Sequence, residues 1–269
     1  MVLCACGPPR AGCPVSVVST INNMPERSLA ALSSVPALET TDLHAWHDNV
    51  HVLRGVNLDI PVGQVAAFLG RPGSGHDTLL RAIMGLTPFR TGSVRIHGTE
   101  SIHHAHEKIQ HLGVGYCGAD TGIFTGLSCE ENLLLPSSTE DTLGGGMSLA
   151  EIYELLPTLY PRRHMPCTRL SGGEQQMLAV ARILRTGANL LLLDNVADGL
   201  APVMVQSLAH LIDQLRNMGY TAVLIEQNLD FAGPLADCFY VMHEGQVIDK
   251  AAPDALASKQ EAFSALLGI

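Results

Sequence analysis

The segment Gly70-Arg71-Pro72-Gly73-Ser74-Gly75-His76-Asp77-Thr78 constrains the fold of this chain more than any other. It follows an unbroken apolar run at residues 65–69 and leads into Leu79-Leu80-Arg81-Ala82-Ile83-Met84, which has helical spacing. Strand, glycine-rich turn and helix, in that order, match the phosphate-binding pattern G-x-x-x-x-G-K-[ST]. Such a turn aims backbone N–H groups and a helix N-terminus at an anion. Two positions depart from the pattern. His76 stands where a lysine reaches the β/γ-phosphates, and Asp77 where a hydroxyl holds Mg²⁺. The expectation is the scaffold of a nucleotide site with altered chemistry.

The surrounding sequence fits one large α/β domain, for which 269 residues and 46% hydrophobic content suffice. Residues 1–37 are rich in Gly, Pro, Cys, Ser and Ala and sustain no period, so a disordered extension is expected there. Met24, followed by Pro25 and Glu26, reads as an alternative start. From residue 38 the pattern changes. Residues 52–60 alternate as a strand and stop at Pro61-Val62-Gly63. Residues 93–98 read as a strand after a Thr91-Gly92 turn, and residues 113–117 as another. Residues 127–185 switch largely to helical spacing, and Ser148-x-x-Glu151 has the form of a helix-capping box. Residues 190–194 and 222–226 are buried strands separated by a helical stretch at 202–217, a βαβ unit. Residues 238–242 and 246–249 read as a hairpin around Glu244-Gly245.

Several function classes are disfavoured by composition. The formal net charge of −10 argues against nonspecific nucleic-acid binding, which needs a basic footprint. No stretch approaches the ~18–20 apolar residues of a membrane span. The seven cysteines form no C-x-x-C pair, and their apolar settings favour reduced thiols in a cytosolic protein. His103, His104, His106 and His111 read as a polar surface segment rather than a metal site.

A second glycine-rich turn carries the next step. Leu170-Ser171-Gly172-Gly173-Glu174-Gln175-Gln176 opens a helix with Ser171 at the N-cap, and the paired glycines allow close approach of an anion. About twenty residues later the four-leucine run 190–193 ends in Asp194. That carboxylate falls at a strand C-terminus, where α/β sheets bind ligands. Together these segments resemble the ATP-binding-cassette (ABC) ATPases over about residues 40–269. Arg81-Ala82-Ile83-Met84-Gly85-Leu86, Glu130-Glu131-Asn132-Leu133, Gly199-Leu200-Ala201-Pro202, Ile225-Glu226-Gln227-Asn228 and the Leu266-Leu267-Gly268-Ile269 ending are most similar to the subunits of branched-chain amino acid and urea importers.

The resemblance implies an α/β P-loop NTPase fold: an ABC-type nucleotide-binding domain at 38–269, with a mixed sheet core and an inserted α-helical subdomain at about 120–185. It implies ATP and Mg²⁺ as cofactors, a second ABC ATP-binding subunit and transmembrane permease subunits as partners, and a place on the cytoplasmic face of the inner membrane. In the family two such domains meet head to tail, each ATP lying between one P-loop and the other chain's signature. Carried onto this chain, the phosphate-binding positions are Gly70, Gly73, Ser74, Gly75, His76, Asp77 and Thr78. The signature is Leu170, Ser171, Gly172, Gly173, Glu174 and Gln175. The metal ligands are Asp194 and Asp77, and the adenine stacks on Trp46 or His47. The catalytic positions are Asn195, where the family has a general-base glutamate, and Gln227, where it has a switch histidine. Ala119 falls at the Q-loop glutamine.

These departures cluster on the chain's own site. Asn195 cannot take a proton from water. The Asp77 charge at ~4 Å from a phosphate, at an effective dielectric near 20, costs about 4 kcal/mol unless a metal neutralises it. The signature is intact. The expectation is an importer subunit in a heterodimer, with its own site impaired and its signature serving the partner's ATP. The alternative is a non-enzymatic pseudo-ATPase that regulates or scaffolds a transporter.

Overall fold

The computed structural model describes residues 35–118, 120–136 and 145–254. Ala119, the Leu266–Ile269 ending and almost all of the 1–37 extension, Met24 included, lie outside the described residues. The elements run β1 (Leu38–His47), β2 (Val50–Ile60), β3 (Val65–Leu69), α1 (His76–Ile83), β4 (Phe89–Ile96), β5 (Thr99–Glu100), α2 (His106–His111) and β6 (Val114–Cys117). There follow α3 (Cys129–Leu134), α4 (Leu149–Leu155), α5 (Gly172–Arg185), β7 (Leu190–Asp194), α6 (Pro202–Asn217), β8 (Thr221–Ile225), α7 (Leu229–Ala232), β9 (Cys238–His243) and β10 (Gln246–Ala251).

Two sheets form. A mixed sheet has the order β10-β9-β3-β8-β7-β6, in which only β10 is antiparallel to its neighbour. An antiparallel sheet has the order β2-β1-β4-β5. The continuous apolar runs of β3 and β7 follow from burial on both faces. Val65, Ala67, Leu69, Leu191 and Leu193 pack on the side of α5 and α6. Ala66, Phe68, Leu190 and Leu192 pack on the side of α1 and the antiparallel sheet. Each fully buried Leu or Phe contributes about 1.5–3 kcal/mol from lost water contact. Strands β3, β7 and β8 end together, with Asp194 in register with Ile225.

Three readings of the sequence need correction. Thr91-Gly92 is not a turn but lies inside β4. There Gly92, at φ 101°, lets β4 pass Asp42 on β1, where a Cβ would fall 2.2 Å from the Asp42 carbonyl oxygen. Strand β1 itself has no counterpart among the sequence-derived elements. A register shift between Thr41 and His44, with Asp42 at φ 49°, breaks its alternation. Strand β4 starts at Phe89 and ends at Ile96, so His97 and Gly98, read as strand, form a turn instead; the other strands, the 202–217 helix and the closing hairpin fall within a residue or two of where the pattern puts them. Ser148 forms a full capping box with Glu151.

Candidate nucleotide site

The turn after β3 is built by its glycines. Gly73 and Gly75 have φ of 85° and 106°, conformations that side-chain-bearing residues avoid. Ser74 closes the turn with its N–H on the Arg71 carbonyl (3.0 Å). Helix α1 starts at His76 with no side chain capping its N-terminus, which leaves the positive end of its dipole at the turn. A cavity of about 350 Å³ opens there. Gly70, Gly73, Gly75, His76, Asp77 and Thr78 form one wall, Asp194 and Asn195 a second, and Glu226 and Gln227 a third. Fold topology thus brings most of the expected phosphate, metal and catalytic positions together. Ser74 lies behind the wall, buried and bonded to His76.

The electrostatics of this cavity are unusual for a phosphate site, because no Lys or Arg is among its described lining residues. His76 is lowered to about 4 by burial, so its imidazole is neutral near pH 7. Asp194 is pushed up to about 6 by burial and then by the neighbouring Asp77 charge, while the Asn195 amide donating at 2.9 Å opposes the shift. Glu226 is pushed up to about 7, again by burial first. Its carboxylate accepts the Ala197 N–H at 3.0 Å, and Asp198 and Asp194 add to the shift. Glu226 has no role assigned from the sequence. The available signal is a carboxylate closing an all-apolar strand.

Asn195 sits in the left-handed region (φ 49°), its N–H on the Ile225 carbonyl (2.8 Å) and its side-chain amide on Asp194. It is a donor there, not a base. Gln227 is exposed and also lines an adjoining cavity of about 480 Å³ beside residues 197–200.

Neither Trp46 nor His47 lines the phosphate cavity. Trp46 stands on β1, between its cross-strand neighbours on β2 and β4. His51 stacks on it (centroids 4.4 Å, 10° between planes) and Phe89 flanks it at 4.9 Å and 53°. His51 is held in turn by His44 (3.0 Å), which contacts Asp42 (3.1 Å). His47 is exposed at the β1–β2 turn, beside Asp48.

The signature turn lies apart from this cavity. Ser171 caps α5 in a reciprocal box with Glu174, whose carboxylate also takes Arg162 at 3.1 Å. Ser171 and Gly172 are exposed, and Leu170 is buried. Gln175 donates to the Cys167 and Leu170 carbonyls. Gly173 is pressed against Met204 of α6, and a Cβ there would meet that side chain at 2.6 Å.

Metal and phosphate fit this chain differently. Asp77 and Asp194 are hard oxygen donors close enough for one charge to disturb the other. One or two carboxylates completed by phosphates and water suit Mg²⁺. Among the described residues, no group of three or more His, Cys, Asp or Glu is placed to hold a metal by protein ligands alone. The phosphate cradle fits poorly, since its lysine position carries a neutral, half-buried ring.

Fold and site together define a P-loop nucleotide-binding domain with a separate glycine-rich signature turn. The sequence model of the ABC transporter family matches residues 53–198. The branched-chain amino acid transport ATP-binding protein BraG of Pseudomonas aeruginosa is 32% identical over 83% of this chain and 96% of its own. LivF of Archaeoglobus fulgidus, described as a probable protein of the same kind, is 30% identical over 86% and 99%. A nucleotide-free ATP-binding cassette from an ABC transporter superposes with a TM-score of 0.73 at 21% identity, covering 86% of this chain and 97% of that one. A cassette in its ADP conformation gives 0.74 at the same identity and coverage. This chain belongs to the ABC transporter ATP-binding family.

Proposed function

We propose that this chain is one of two unlike ATP-binding subunits of an ABC importer that takes up a branched-chain amino acid or a urea-like solute. Its signature completes the partner's ATP site, while its own site hydrolyses ATP weakly or not at all. The similarity to BraG and LivF supports the importer class. In that role the chain is held to the cytoplasmic face of the inner membrane through permease subunits. Among the described residues no helix is long and apolar enough to cross a membrane.

The observation that carries this reading is the contrast between the two turns. Ser171 and Gly172 are exposed at a well-capped helix start, ready for a ligand presented from outside. Among its described lining residues the chain's own cavity has carboxylates but no lysine, and an amide at the general-base position. Phosphoryl transfer depends on positioning and charge neutralisation, for which that cavity is poorly equipped. The same cavity favours a second reading, in which the chain is a non-enzymatic regulator that docks on a transporter.

ATPase assays of the reconstituted complex separate the two. Ser171→Arg is expected to abolish turnover, and His76→Ala to leave it intact. A complex whose turnover ignores Ser171→Arg, or matches that of the partner subunit alone, supports the regulator instead.

A further inference from the structure

We propose that the imidazole of His76 occupies, from within the chain, the place a phosphate group would take in the turn at residues 70–78. The loop then admits a phosphate-bearing ligand only when the ring is displaced. The inference rests on the reading of this chain's own site as impaired and supplies its physical cause.

Three contacts place the ring inside the loop. A Cβ built on Gly70 would fall 2.6 Å from His76 Cε1, 2.7 Å from Ser74 Oγ and 2.6 Å from the Met242 carbonyl oxygen. The space beside Gly70 is therefore taken by the chain's own atoms, and the ring forms part of the wall of the cavity that opens at this turn. Ser74 Oγ lies 3.1 Å from His76 Nδ1 and 3.4 Å from Nε2. The Leu69 backbone supplies a further hydrogen bond to the ring. A neutral imidazole has one donor and one acceptor nitrogen. The Leu69 carbonyl and the Ser74 hydroxyl thus serve the ring from within the chain.

Side-chain length explains the difference from a lysine. Lysine carries its charge on a flexible four-carbon stem and can reach over a bound phosphate. An imidazole is one carbon from the backbone at the first residue of α1, and it packs down onto the glycine floor. The rest of the anion-binding geometry survives: Gly73 and Gly75 keep their positive φ, and no side chain caps α1. The ring covers a competent turn.

This arrangement makes a signed prediction. A histidine that ligates phosphate loses affinity when truncated, whereas one that excludes phosphate gains it. Isothermal titration of the full chain with Mg-ATP, and separately with inorganic pyrophosphate, tests the sign. The wild type is expected to bind Mg-ATP only in the millimolar range, with His76→Ala at least tenfold tighter. Ser74→Ala, which frees the ring without removing it, is expected to shift affinity the same way by a smaller factor. It also serves should the first variant fold poorly. Micromolar binding by the wild type, or affinity unchanged or weakened in both variants, overturns the proposal. Such a result leaves signature-dependent turnover of the complex untouched. Loss of that dependence, conversely, overturns the functional reading while the titrations stand.

Discussion

The turns at residues 70–75 and 170–173 are built from the same parts, a strand or loop, small residues and a helix start, yet they face opposite ways. In the first, the side chain at the lysine position is folded inward: His76 is bonded to Ser74 and lies beside Gly70. In the second, the polar groups satisfy each other at the rim, Ser171 with Glu174 and Glu174 with Arg162, and the cap and Gly172 stay exposed. A glycine-rich turn is therefore not evidence of a ligand by itself. What its side chains already bond to decides whether it is free to bind anything else.

The largest expected effect tests the outward turn. Ser171→Arg puts a bulky cation at an exposed cap and removes the hydroxyl that accepts the Glu174 N–H. Loss of one preorganised donor at a developing anionic centre typically costs about 10²–10³ in rate, and turnover of the reconstituted complex should fall by at least that. A fall of less than tenfold would remove the functional distinction between the turns.

The next effect belongs to the inward cavity and is read through pH. Glu226 is nearly fully buried and its folded pKa is raised from 4.5 to about 7. The folded state thus holds this proton more tightly than the unfolded chain does. The stability it contributes is complete below about pH 4.5 and is lost as pH rises toward 7. Asp194, raised from 3.8 to about 6, acts in the same direction. For Glu226 the loss is of order 3 kcal/mol at most. Scanning calorimetry of the isolated chain at pH 5 and pH 8 should show the wild type less stable at pH 8. Glu226→Gln should narrow that gap by several degrees at about 2–4 °C per kcal/mol, since an amide can still accept the Ala197 N–H. An equal gap in the variant would mean that the cavity's acidity is not borne by Glu226.

Legibility in the sequence follows the same division between backbone and side chain. The strands β3, β7 and β8 are readable because burial on both faces makes them uniformly apolar. The helix starts at Ser148 and Ser171 are readable because a capping box is local, with partners three residues apart. Strand β1 is not, since the Asp42 irregularity breaks its period and its outward face carries His44 and Trp46. Nor does the motif reveal which way His76 turns, because that depends on Leu69, Ser74 and the space over Gly70. Trp46 is equally opaque. Its availability as a stacking shelf is decided by His51 and Phe89, whose contacts depend on strand register.

The smallest effects separate the two turns by why each needs its glycine. Gly73 has φ 85°, and a Cβ added there would meet nothing within 4 Å, so Gly73→Ala meets only backbone strain, about 1–2 kcal/mol. Gly173 carries no such positive φ, but a Cβ would lie 2.6–2.8 Å from three Met204 carbons. Gly173→Ala is therefore an overpacking change, costing about 1–3 kcal/mol. The distinction is testable by rescue. Met204→Ala, which removes Cγ and Cε but leaves Cβ at 2.8 Å, should recover part of the stability lost in Gly173→Ala, as measured by denaturant midpoints, through a non-additive term expected between contacting residues. It should do nothing for Gly73→Ala, whose strain has no neighbour to yield. If the two variants respond alike to Met204→Ala, then the signature turn owes its glycine to backbone conformation, as the phosphate turn does, and the packing of α6 against it is incidental.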